Sequence, residues 1–321
     1  MQPEPLRPAG RTLLLIGIVA IAAVVAFMTV GARGNWSFVL PFRGTKVLAL
    51  VLVAYSIAVS TVLFQTITNN RILTPAIMGF DWLYMLLQTV LVFLLGAAAT
   101  SSIDPRLMFL VEIGTMTGFS LVLYRFLFTG NARDLHLLIL IGVVFGTLFR
   151  SLSGFLQRLI DPNDFVVLQD RMFASFNTVD SNLLVISTVM VAIVSITALR
   201  IFHTFDVMAL GRETAISLGV DHRRITMIVL ILVTVLVSVS AALVGPVTFF
   251  GLLVANLAYV VMPTAKHRYV LPAAVLIAII CLVGGQTVLE RLFAFDTALS
   301  IVVEFAGGLF FIFYLLRGHP R

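Results

Sequence analysis

The sequence predicts an all-α, polytopic membrane protein with about ten transmembrane helices. Three observations carry that prediction. Only 11% of the 321 residues are charged and 60% are hydrophobic, whereas a soluble domain carries about 25% charged residues on a surface that faces water. The apolar residues fall in long uncharged runs, such as Leu13 to Val30, Val47 to Ile67 and Leu83 to Ala99. Each is close to the ~20 residues a helix needs to cross about 30 Å of hydrocarbon. Finally, the alternating segments of about ten residues that build a membrane β-barrel are absent.

Taken in order, spans are expected near Leu13–Val30, Lys46–Thr66, Gly79–Ala99, Leu107–Phe128 and Leu135–Gln157, then Leu183–Phe202, Ile225–Val244, Phe249–Met262, Tyr269–Leu289 and Ala298–Leu316. The first follows Arg7 and Arg11 as a signal peptide's core would. Its run exceeds the ~7–15 residues of such a core, and Gly31-Ala32-Arg33-Gly34 is a poor cleavage site, so it reads as a retained helix. The expected breakers between spans are Pro41 with Gly44, Asp104-Pro105, Gly130-Asn131, Asp161-Pro162-Asn163, Gly245-Pro246 and Pro263. The whole of 1–321 reads as one transmembrane domain.

Two connections are too long and polar to be plain turns. One runs from Asp161 to Asn182 and holds Asp161, Asp164, Asp170 and Asp180. The other, 206–224, reads DVMALGRETAISLGVDHRR. Helix formers Met208 to Leu210, a break at Gly211, and Glu213 to Leu218 before Gly219 predict two short helices with a glycine hinge at the membrane surface.

With the N-terminus in the cytoplasm, thirteen of the 21 Lys and Arg fall on the cytoplasmic side: Arg7, Arg11, Arg71, Arg125, Arg133, Arg200, Arg212, Arg223, Arg224, Lys266, Arg268, Arg317 and Arg321. The other eight are Arg33, Arg43, Lys46, Arg106, Arg150, Arg158, Arg171 and Arg291. The positive-inside rule therefore favours two cytoplasmic termini. The net charge of +6 has the same source, and no basic run interleaves with aromatics as nucleic-acid binding would require. Cys281 is the single cysteine and lies in an apolar run, so no intrachain disulfide is available.

No catalytic site is expected. The chain has no Gly-rich phosphate loop, and its five histidines lack HxxxH or HExxH spacing, so no metal site is expected either. The carboxylates within spans are Asp81, Glu112, Glu290 and Glu304. An intramembrane carboxylate is a functional candidate by default, because stranding it in lipid is costly. Pairing with a neighbouring helix is the other reading, and a proton-coupled carrier would need one such group in its path. In the second span Thr61, Gln65 and Thr68 share a face with Ser56 and Ser60. That stripe runs into Asn69-Asn70-Arg71 and either lines a water-filled path or cements a helix pair.

Within 206–224 the run ALGRETAISLG, Ala209 to Gly219, precedes a basic pair and a span. It resembles the coupling motif of the iron-chelate and cobalamin uptake ABC permeases. FQTITNNRILTPAIMGFDWLY (Phe64 to Tyr84), GPVTFFGLLVANLAY (Gly245 to Tyr259) and GGLFFIFYLLR from Gly307 resemble further landmarks of that family, in family order over nearly the whole chain. NNRILTPAIMGFDWLY is most similar to the ferric siderophore branch, often catecholate. Departures are Ala255-Asn256 in place of the family's Pro-His, Thr287 in place of an acidic residue, Asp296-Thr297-Ala298-Leu299-Ser300 in place of Glu-Leu-Pro-x-Gly, and Gly307-Gly308-Leu309 in place of Gly-Ala-Pro.

The resemblance implies an importer-type ABC permease fold in the bacterial inner membrane. Two permease subunits, the second a copy or a paralogue, enclose the path within lipid. Two ATPase subunits bind ATP and Mg, so this chain needs no cofactor, and a periplasmic or lipoprotein binding protein delivers the ligand. Carried over residue by residue, Leu210, Gly211, Glu213, Ala215, Leu218 and Gly219 form the ATPase-coupling surface, with a plain basic loop at the lipid headgroups as the alternative. Arg43, Lys46 and Arg291 fall where the family pairs cations with carboxylates on the binding protein's two lobes; anchoring to phospholipid is the alternative. Ser60, Thr61, Gln65 and Thr68 are the candidates for the path. The rival readings are a cobalamin or haem permease of the same family, a proton-coupled carrier, and a membrane-embedded enzyme.

Overall fold

The computed structural model describes residues 6–31, 35–129, 135–177 and 179–292, with 302, 305, 308, 309 and 312 of the last segment. The expected final span, and Glu304 in it, fall largely outside the described residues. Among the described residues there are thirteen α-helices. They are α1 (Leu6–Thr29), α2 (Trp36–Thr68), α3 (Phe80–Leu95), α4 (Ala97–Ser101), α5 (Pro105–Thr129), α6 (Leu135–Gln157) and α7 (Pro162–Arg171), then α8 (Ser181–Arg200), α9 (Phe202–Met208), α10 (Arg212–Ser217), α11 (His222–Val244), α12 (Phe250–Val261) and α13 (His267–Leu292). A 3₁₀ turn, Pro75–Met78, precedes α3. Seven helices are long and apolar enough to span a membrane, and α3 and α12 are shorter apolar ones. These nine correspond to the first nine expected spans.

The boundaries differ where local chemistry was underestimated. α2 starts at Trp36 rather than Lys46, so Pro41 and Gly44 lie inside it instead of forming a turn. The Asn35 side chain caps this start by accepting the Ser37 N–H at 3.1 Å. Near a capped helix start Pro41 removes one backbone bond, which the apolar run behind it outweighs. The third span breaks at Gly96, whose φ of +80° separates α3 from α4. In the 161–182 connection, Asp161 caps α7 by accepting the Asn163 N–H at 2.8 Å.

α2 and α11 form the centre: 72% and 67% of their apolar windows are buried, against 11% for α1. α13 lies beside α2, carries α1 on its outer side and packs against α12; α5 and α8 flank α11, and α6 pairs with α3. The α3 side meets α6 almost backbone to backbone. A Cβ on Gly79 would sit 2.7 Å from Gly146 Cα, and one on Gly142 would sit 2.8 Å from Met78 Cα. Gly79 also has φ +82°, so both its freedom and its lack of a side chain are used. Short connections make successive spans antiparallel. One end of the bundle therefore carries α9, α10 and the 69–74 loop, and the other carries α7, the C-terminus of α1 and the start of α2.

Candidate transport and coupling sites

At the α9–α10 end, α10 starts at Gly211 (φ +94°) and closes on Gly219 (φ +83°). The Gly219 and Val220 amides donate to the Ile216 and Ala215 carbonyls at 2.9 and 3.0 Å, satisfying orphan groups at the helix end. This geometry turns Ala215 inward, where it is buried, and leaves Leu210, Ile216 and Leu218 more than half exposed. Arg212 and Glu213 are exposed beside them. The result is a short ledge with an apolar crest, held on the bundle by buried Phe205 and Met208 of α9. Ile216 was missed in the motif; it lies one helical turn from Arg212.

Behind the ledge, three residues far apart in sequence meet. Asp206 Oδ1 accepts from the His267 backbone N–H at 2.9 Å and lies 2.6 Å from His267 Nδ1. His267 Nε2 lies 2.7 Å from Thr66 Oγ1 in the last turn of α2. The histidine is buried and its ring centroid stands 5.9 Å from that of Phe205. Spacing along the chain carried no sign of this row, since its members are separated by 61 and 201 positions.

The polar stripe of α2 is buried in the chain's own packing. Ser60 and Thr61 line a cavity of about 30 Å³ with Thr74, Asp81, Ser240 and Thr248, enough for a water or two. Thr61 lies against Gly251, where any Cβ would collide with its hydroxyl. Gln65 donates to the Arg71 carbonyl at 2.7 Å, and Asn256 donates to the same oxygen at 3.2 Å. Asn256, one of the departures in the motif, thus ties α12 to the loop after α2. Thr68 bonds back to the Phe64 carbonyl at 2.8 Å, and the Arg71 guanidinium lies 4.4 Å from the Tyr259 ring centroid.

The three cations at the opposite end have different surroundings. Arg43 Nη1 donates to the Phe27, Met28 and Val30 carbonyls at 2.7, 3.1 and 3.0 Å, and Arg291 donates to Val30 O at 2.6 Å. Both guanidiniums serve the carbonyl-rich C-terminus of α1, where cations are favourable. Arg291 remains exposed. Lys46 is buried and pairs with Glu290 at 3.2 Å. Gln286 donates to Glu290 and to Asn177, both at 3.1 Å, closing a small network between α2, α13 and the loop after α7. Asp180 caps α8 through the Asn182 amide at 2.6 Å, and that bond holds its carboxyl below the usual carboxylate range.

Glu112 is buried and accepts a hydrogen bond from Gln88 Nε2, whose Oε1 in turn accepts from Arg171 at 3.1 Å. Arg171 also donates to Ser101 at 3.3 Å, so α7 is clamped across α3, α4 and α5. Among the described residues no group of three His, Cys, Asp or Glu is placed to hold a metal.

A bundle of apolar spans carries a two-helix ledge at one end. The sequence pattern of the FecCD transport family matches residues 11–317, and the chain belongs to that family. It is 49% identical over 304 residues to the petrobactin import system permease protein YclO of Bacillus subtilis, covering 95% of this chain and 96% of that protein. It is 34% identical to the petrobactin permease FatC of Bacillus anthracis (95% and 87% covered) and 26% identical to the ferric enterobactin permease FepD of Escherichia coli (95% and 90%). The fold matches a solved inward-facing, metal-chelate type ABC transporter with TM-score 0.83 at 21% identity, over 97% of this chain and all of that one. The chain is a transport component, not an enzyme.

Proposed function

We propose that this chain is the membrane permease of an ABC importer for ferric siderophores, with petrobactin-type chelates as the substrate class. The observation that carries the substrate class is the 49% identity to a petrobactin permease over almost the full length of both chains. Haem and cobalamin permeases share the family at 24–25% identity. In this reading the α9–α10 ledge is cytoplasmic and meets an ATPase that binds ATP and Mg. Its crest of Leu210, Ile216 and Leu218 suits an apolar groove on a protein partner. A binding protein docks at the α7 end, where exposed Arg291 offers a cation to a carboxylate, with Arg43 beside the same helix end. Lys46, engaged with Glu290, supports the scaffold beneath.

The cavity beside Ser60 and Thr61 is about 30 Å³, too small for an iron chelate, and in this reading the path lies between this subunit and a second permease. Ser60, Thr61, Gln65 and Thr68 then act by holding α2 against α12 and the 69–74 loop. The test is reconstitution in proteoliposomes with the ATPase and binding protein. Ferric petrobactin uptake should require ATP, and Leu218→Asp should abolish both uptake and copurification of the ATPase. Preferential uptake of haem or cobalamin would overturn the substrate class. A Leu218→Asp permease that still carried its ATPase and transported normally would overturn the coupling surface.

A further inference from the structure

We propose that Asp206, His267 and Thr66 form a latch that transmits movement of the α9–α10 ledge into the end of α2. This rests on the reading of the ledge as the ATPase-coupling surface. Most of what holds α9 to the bundle is apolar, through Phe205 and Met208. Such contacts are non-directional and would let the helix slide over its neighbours. The Asp206–His267–Thr66 row is directional, because hydrogen bonds weaken steeply once stretched or bent.

Each joint of the row serves a different element. The Asp206 carboxylate grips both the first amide of α13 and the ring of its first residue, at 2.9 and 2.6 Å. The rigid imidazole then reaches across to the last turn of α2, 2.7 Å from Thr66. Thr66 Oγ1 is also 2.8 Å from the Val62 carbonyl. If the hydroxyl proton goes to Val62, His267 donates from both nitrogens; if it goes to His267, the ring is neutral. In both cases the row stays continuous. Beyond Thr66, α2 ends at Asn69 in a left-handed turn (φ +49°). Gln65 and Asn256 pin the next loop through the Arg71 carbonyl at 2.7 and 3.2 Å. That loop delivers Thr74 and Pro75 to the cavity beside Ser60 and Thr61. A displacement of α9 is thereby led to the interior without crossing a sliding contact.

The Asp206 side chain is 48% exposed, so cutting that end of the row costs the fold little, whereas Thr66 and His267 are buried and the variants there keep the side-chain shape to preserve the fold. The experiment uses the reconstituted importer with ferric petrobactin as probe and reads the amount transported per ATP hydrolysed. Thr66→Val removes the hydroxyl at nearly constant shape, Thr66→Ser keeps it, His267→Phe keeps an aromatic ring against Phe205, and Asp206→Asn alters the exposed end. Thr66→Val, His267→Phe and Asp206→Asn should keep the ATPase bound and hydrolysing at near wild-type rate. Transport per ATP should fall about fivefold or more, the ratio equivalent to one hydrogen bond of ~1 kcal/mol. Thr66→Ser should match wild type. The latch is overturned if Thr66→Val transports with the wild-type ratio, or if Thr66→Ser is as defective as Thr66→Val. Failure of the coupling reading looks different: Leu218→Asp would then leave ATPase binding and transport intact whatever the latch variants do.

Discussion

Replacing Lys46 by alanine should destabilise the protein rather than weaken a docking contact. The Lys46 ammonium and Glu290 carboxylate stand 3.2 Å apart with side chains only 9% and 10% exposed. At that separation, and at the effective dielectric of about 20 that suits protein sites, their attraction is about 5 kcal/mol. Much of this offsets the cost of removing both charges from water. Deleting one partner leaves the other buried and uncompensated, at a cost of about 3–5 kcal/mol. Gln286 still donates to Glu290 in the variant, which places Lys46→Ala near the lower value. At about 2–4 °C per kcal/mol for domains of 150–250 residues, the unfolding midpoint in detergent should fall by about 6 °C or more. The double variant Lys46→Met/Glu290→Leu, which removes both charges and keeps the volume, should recover most of that loss. Tryptophan fluorescence during heating reads the midpoint, and titration with the binding protein reads docking. A Lys46→Ala protein that melts within about 1 °C of wild type but loses affinity for the binding protein would refute the reasoning.

Gly79→Ala should lower the folded yield in size-exclusion chromatography, because its methyl meets Gly146 backbone at 2.7 Å and φ is +82°; overpacking and left-handed strain together cost about 2–5 kcal/mol. Gln65→Leu or Asn256→Leu alone should cost about 1 kcal/mol, since the Arg71 carbonyl keeps its other donor. The double variant strands that carbonyl and should lose more than the sum, as a double-mutant cycle of thermal midpoints would show. Glu112→Gln should retain ATP-driven uptake that resists a protonophore, because Gln88 and Arg171 anchor that site as a scaffold; loss of uptake together with protonophore sensitivity would favour a proton-coupled carrier. Asp180→Ala should destabilise α8 modestly at neutral pH, where the cap is ionised. Because folding lowers its pKa, the stability the cap contributes is present above the unfolded pKa and disappears as pH falls through the folded one, so the wild-type and variant melting curves should converge in acid.

The architecture was legible because bilayer thickness dictates span length, and nine apolar runs became nine helices within a few residues for most of them. Misjudged boundaries cluster where one side chain decides the matter, as with Asn35 extending α2 backward through Pro41. The two short helices hinged at Gly211 followed from local glycine and helix-former order, although α9 begins at Phe202, directly after α8. Side-chain partners were a different matter. Lys46 in sequence is a cation before an apolar run; its burial with Glu290 depends on a helix 244 positions away. His267 read as one of five scattered histidines for the same reason. Long-range pairs leave no local period, so the polar skeleton of the bundle was invisible even where its helices were plain.

The end of α1 has a consequence for the order in which the chain is made. Its C-terminal carbonyls are served by Arg43, 13–16 positions downstream, and by Arg291, which contacts a residue 261 positions earlier. At synthesis rates of about 5–20 residues per second, roughly 13–50 s separate the appearance of the two partners. During that interval α1 has one guanidinium and no α13 to lie against. A nascent chain stalled before residue 267 should therefore hold its first helix loosely, so that a cysteine placed at the exposed position Leu14 crosslinks to neighbouring membrane proteins more readily than in the finished chain. The packing partner of the first helix is the ninth span, which is made last among the described ones.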